Sequence, residues 1–177
     1  MAEIPPTLYD ELFRMRDAYR AMTREGIAVV HGDELTWEET RQGRLKWFVH
    51  PAKPDTAIRN VLVWEQEIPP GGRSGKQHLP GGIAHYVLEG VGYSMIDGQR
   101  HQWKAGDAIG LPLRPEGVVC QHFNPSPSDP VRLLAIMPNL FDALGVDLGS
   151  RFEQLEDAPP DGTPNPSFGL GPVSERS

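Results

Sequence analysis

The middle of this chain is cut up by clusters of turn-forming residues: KPD, PPGGRSG, PGG, EGVG, DGQR, AGD, RPEG and NPSPSDP. Between them stand short apolar runs rich in Val, Ile, Leu, Trp and Tyr, among them NVLVWEQEI, IAHYVLEG, YSMIDG, AIGLPL, GVVCQHF and VRLLAIM. Glycine and proline punctuate a chain by conformation, and the intervals they leave suit strands of a few residues rather than helices of ten or more. The spacing therefore predicts an all-β body, a sandwich or small barrel, from Ile27 to Met137. With 19 Gly and 18 Pro in 177 residues, the turns are numerous enough to join many short strands within a single domain.

The flanks read differently. Residues 1–26 form an N-terminal helical segment, because Leu8, Leu12, Met15, Tyr19 and Met22 fall on one helical stripe between a Thr7/Asp10 cap and Gly26. Residues 27–140 make the barrel. Residues 141–177 begin with one short helix, PNLFDALGVDLG, and continue as an extended tail rich in Pro and Gly.

Charge narrows the partners. A net charge of −7 with no stripe of Lys or Arg excludes a nucleic-acid face. No stretch approaches the ~20 apolar residues that span a bilayer, and the N-terminus has no basic and apolar leader pattern. A cytoplasmic protein with a small-molecule partner is the expectation. Cys120 is the only cysteine, so neither an internal disulfide nor a site of several thiolates is available.

Four features then occur in order: PPGG, YVLEG at Tyr86 to Gly90, IDG followed by AGD at Ala105 to Asp107, and GVVCQHFN at Gly117 to Asn124. In this order they resemble the two motifs of the cupin superfamily. The resemblance implies a jelly-roll β-barrel, here with an N-terminal helix and an extended C-terminal tail. It also implies one metal in the barrel, held by a His-x-His pair, a glutamate and a later histidine.

Set against that pattern, the ligand positions read Lys76, His78, Ile83 and Cys120. His85 and His122 stand two residues beyond Ile83 and Cys120, on the same strand face and about 6.5 Å further along. The resemblance thus implies a metal held by His78, His85 and His122, with Cys120 as a further candidate ligand. Fe(II) is the first expectation, with Mn, Ni, Zn, Cu or no metal as alternatives. Lys76 and His122 are the candidate catalytic groups, Lys76 as an anion anchor or a base tuned by burial. Gln66, Arg73 and Arg114 are candidate pocket residues by register. His101 shares a strand face with Trp103 and is assigned to structure, and His31 and His50 receive no role.

Gentisate dioxygenase-like cupins hold iron through three histidines without the glutamate, so the first functional expectation is an Fe(II) dioxygenase. Its substrate would be a small aromatic or carboxylate-bearing molecule, anionic or phenolic. A cupin without metal that works as an isomerase or lyase by acid/base chemistry is the alternative, and a binding barrel without turnover is the third. Exposed strand edges suggest a homodimer.

Overall fold

A computed structural model describes residues 8–53, 55–139, 153–156 and 159. The chain begins there with helix α1 (Leu8–Glu25), and the rest is built of strands: β1 (Glu38–Thr40), β2 (Gly43–Val49), β3 (Val61–Ile68), β4 (Lys76–Leu79), β5 (Ile83–Glu89), β6 (Val91–Ile96), β7 (Gln99–Lys104), β8 (Ala108–Leu111), β9 (Val118–Phe123), β10 (Val131–Pro138) and β11 (Glu153–Glu156). One sheet has the order β1-β2-β3-β10-β5-β8 and the other β11-β4-β9-β6-β7. All the pairings between these strands are antiparallel.

The sheets enclose a core because apolar residues alternate along the strands. Ile83, His85 and Val87 of β5 are buried, whereas Ala84, Tyr86 and Leu88 between them are exposed. The same alternation puts Val131, Leu133, Ala135 and Met137 of β10 inside. Two apolar clusters result: one of Leu62, Leu79, Ile83, Leu111, Val118, Cys120 and Met137, the other of Ile68, Val87, Trp103, Ile109, Val131 and Leu133. Burying each such side chain contributes roughly 1.5–3 kcal/mol, enough to carry the fold.

Two backbone details set the architecture. Gly92 pairs with Trp103, and a Cβ there would lie 2.2 Å from the indole, so glycine is what lets this large ring fold under β6. The Asp97-Gly98 turn joins β6 to β7 with Asp97 at φ 49, a conformation that aspartate tolerates in tight hairpins. Its Oδ1 accepts a hydrogen bond from Val119 N at 2.9 Å and its Oδ2 one from Arg114 at 2.5 Å, which fastens the start of β9.

The outer face of the six-stranded sheet is partly covered. Glu65 is buried there between Lys46, at 2.9 Å, and Arg132. Trp37 lies over the Lys46 ammonium at 4.7 Å. β11 falls in the segment read from sequence as a short helix and tail, and it extends the five-stranded sheet by pairing with β4. The remaining tail and the PNLFDALGVDLG helix expectation lie outside the described residues, apart from Pro138, Asn139 and Pro159. No described helix is long and apolar enough to cross a membrane.

Candidate functional site in the barrel

The position of each candidate follows from register. Gln77 pairs with Cys120, His78 with Val119 and Leu79 with Val118. Paired residues of an antiparallel ladder project to the same face. Leu79, Val118 and Cys120 are in the core, so Gln77 shares the inner face with them, and Lys76 and His78 lie on the other. His78 confirms this by its bond: Nε2 meets Glu116 O at 2.8 Å. It is not among the interior histidines, and Lys76 does not share the face on which they stand. Gly117, at φ 77, makes room for that ring, since a Cβ there would lie 2.6 Å from Nε2.

His85 and His122 do come together. In one sheet a row of inward residues runs Trp47, Trp64, Ala135, His85, Ile109 by successive pairing. In the other, His122 pairs with Ser94 and Ser94 with His101. The rows meet where the His85 and His122 rings lie 4.6 Å apart in an edge-on arrangement. Trp64 stands 6.3 Å from His85 and 5.3 Å from Trp47. Both imidazoles are buried.

A hydrogen-bond chain fixes His122. Trp103 Nε1 donates to Ser94 Oγ at 2.8 Å, and Ser94 Oγ lies 2.7 Å from His122 Nδ1. Indole N–H can only donate, so the Ser94 hydroxyl is free to pass its own hydrogen to Nδ1. In the tautomer that accepts this hydrogen, His122 carries its proton on Nε2, the nitrogen that lies 3.9 Å from Cys120 Sγ. The backbone is held as well: His122 N donates to Ser74 Oγ at 2.9 Å. His85, by contrast, has a buried Nδ1 without any hydrogen-bond partner.

Burial keeps this group uncharged. It lowers His122 to a pKa of about 4 and holds His85 well below the usual histidine range, with the neighbouring His122 adding to the effect. The Cys120 thiol is pushed up to about 12, by burial first and the Asp97 carboxylate second. Two neutral imidazoles and an un-ionised thiol are therefore the resting state.

These residues do not fit the expected metal centre. The inner-face positions around the motifs are Gln77, Leu79, Ile83 and Cys120, and the last three pack together in one apolar cluster. His78 is on the other face of β4, and Leu79, Ile83 and Cys120 fill the inner face beside it with an apolar cluster. Among the described residues no group of three or more His, Cys, Asp or Glu is placed to hold a metal ion.

The other candidate pocket residues each have a partner of their own. Gln66 is buried as an interior strut, donating to Gln42 O at 2.7 Å. Arg73 binds Glu156 of β11 at 2.9 Å. Arg114 pairs with Asp97. Gln77, Ser94, Trp47 and Trp64 went unnoticed in sequence, although alternation back from Leu79 reaches Gln77 and alternation back from Ile96 reaches Ser94.

Comparison with known proteins agrees with this fold. Residues 64–137 match the family described as the Cupin domain. No curated protein matches the chain. Among solved structures, the polyketide cyclase RemF from Streptomyces resistomycificus is similar with a TM-score of 0.53 and 21% identity, over 63% of this chain and 79% of that one. Salicylate 1,2-dioxygenase from Pseudoaminobacter salicylatoxidans, in adducts with gentisate, gives 0.51 and 15% over 78% and 35%. Procruciferin, an 11S globulin from Brassica napus, gives 0.50 and 18% over 70% and 34%. Two enzymes and a globulin at such identities share the architecture and leave the chemistry to the site.

Proposed function

The chain belongs to the cupin superfamily, and from that premise we propose an acid/base enzyme, an isomerase or lyase, that works without the usual metal. Its substrate would be a small phenolic or carboxylate-bearing molecule that enolises, bound in the barrel beside Trp47 and Trp64. The observation that carries this reading is the pair of neutral buried histidines behind an apolar layer of Leu79, Ile83 and Cys120.

The roles follow from the hydrogen bonds. His85, with an unpartnered ring nitrogen, accepts a proton from the carbon beside a carbonyl. The electron pair left behind moves onto the carbonyl oxygen, which accepts a hydrogen bond from His122 Nε2–H. Return of the proton to a different carbon completes an isomerisation. A neutral imidazole is a good donor to such an oxygen because it does not have to lose a charge. The apolar cluster excludes water, which strengthens both interactions.

A second reading, the Fe(II) dioxygenase, is favoured by one feature: the unpartnered Nδ1 of His85 beside a second imidazole. The two separate in one experiment on tag-free protein stripped with EDTA. Proton–deuterium exchange at the α-carbon of small keto and phenolic acids in D2O, followed by NMR, supports the first reading if it survives stripping and is lost in His85→Gln. About one iron per chain before stripping, with turnover that consumes O2 and ends with it, overturns that reading.

Tyr86, Leu88 and Ile136 are exposed on the outer face of the six-stranded sheet. They support a homodimer as part of the proposal, and elution at monomer mass in size exclusion would exclude it.

A further inference from the structure

One sheet ends at β7 and the other at β8, and these free edges face each other across a groove of about 600 Å³. Ile96, Trp103 and Ile109 form its apolar part, and neither His85 nor His122 lines it. Both ends are closed. At one, the turn Ala105 to Asp107 joins β7 to β8, tightened where Lys104 N donates to Asp107 Oδ2 at 2.9 Å. At the other, Arg114 reaches Asp97 at 2.5 Å. An extended peptide would have to run out through these ends, whereas a compact molecule fits between them.

The charges in the groove are already committed. Arg114 is paired with Asp97, and Asp107 holds a backbone amide. Gln99 and His101, on the same face of β7 as Trp103, line the groove with Gln102 beside them, and none of the three side chains makes a hydrogen bond among the described residues. An ionic ligand would have to break the Arg114–Asp97 pair to find a partner. A neutral ligand with several hydroxyls meets amides and an imidazole that both donate and accept, over an apolar floor that its ring carbons can cover.

We propose that this groove is a binding site for a neutral polyhydroxy molecule of one or two sugar rings, distinct from the His85–His122 pair, neither of which lines it. It is also coupled to that pair, because the floor residue Trp103 donates to Ser94, which holds His122. Occupancy of the groove is then read at the His122 ring.

Calorimetry on the full chain tests this with glucose and maltose as neutral probes and gluconate as an anion of similar size. Saturable binding of a neutral probe to one site per chain, weakened at least tenfold in the Gln99→Ala/His101→Ala double variant and unchanged in His85→Gln, is the expected result. Both groove side chains are exposed, so the double variant should keep the parent's unfolding midpoint, which the same samples report. Four results would overturn the proposal: no binding of either neutral sugar, binding retained in the double variant, tighter binding of gluconate, or loss in His85→Gln. The His122 ¹⁵N shifts should move with sugar in the parent, and unmoved shifts at saturation would overturn the coupling.

Discussion

β4 and β9 lie side by side in one sheet, and each carries a histidine from the motifs, yet the two imidazoles have opposite fates. His78 on β4 turns away from the barrel and bonds a loop carbonyl. His122 on β9 turns inward and is locked by Ser94, itself bonded by Trp103. What separates them is one step of register: His78 faces Val119, and Gln77 faces Cys120. A strand presents alternate residues to alternate faces, so a single-residue displacement exchanges a metal ligand for an amide. The comparison teaches that possession of a motif's residue types is not possession of its site.

The inner side of this comparison is where the largest effects are expected. Trp103→Ala removes a buried ring from the core and leaves Ser94 without its donor. It should cost about 3–5 kcal/mol, measured by urea unfolding. A loss under about 1 kcal/mol would mean that the indole is not packed beneath Gly92. The second effect is on pH. Because the folded-state pKa of His122 falls from 6.5 to about 4, the unfolded chain binds a proton in that window and the folded chain does not. Stability is therefore complete above pH 6.5 and is lost as the pH falls, by roughly 1.4 kcal/mol per unit and about 3 kcal/mol in all for this residue. His85 acts in the same direction. Unfolding free energies measured in steps from pH 7 to 4 should show the decline, and a flat profile would place the imidazoles in contact with water.

The fold was legible in sequence because turns and alternation are local properties. PGG, DGQR and AGD mark chain reversals wherever they occur, and IAHYVLEG alternates cleanly about Ile83, His85 and Val87. The inward facing of His85 and His122 followed from the same alternation, and their meeting was what the cupin resemblance implied. The facing of His78 did not, because KQHL is too short to show a period, and its register is set by hydrogen bonds to β9 more than 40 residues away. Ser94 and the role of Trp103 were hidden for another reason. Their importance lies in a bond between neighbouring strands, which no periodicity reports.

Ser94→Ala sharpens the contrast at intermediate size. It leaves Trp103 Nε1 and His122 Nδ1 buried without partners. Groups stranded in this way cost about 1–3 kcal/mol each, and the imidazole loses the partner that fixes its tautomer. The ¹⁵N shifts of His122 should then show a mixture of tautomers at pH 7, where the parent protein shows one. An unchanged spectrum would mean that Ser94 does not set the proton on Nε2.

The smallest effect should come from His78→Ala, and that smallness is the point of the experiment. Its bond to Glu116 O sits at a half-buried surface, where a hydrogen bond contributes about 0.5–1.5 kcal/mol. Gly117 already has the backbone freedom to close over the lost ring, so the low end of that range is expected. Unfolding in urea should shift by no more than this, and the His85 and His122 resonances should stay in place because the side chain lies on the other face of the sheet. If His78→Ala instead displaced both interior resonances, β4 would have to run one residue out of the register that pairs Gln77 with Cys120. The ring would then be inside the barrel, and a three-histidine centre would again be within reach of the chain.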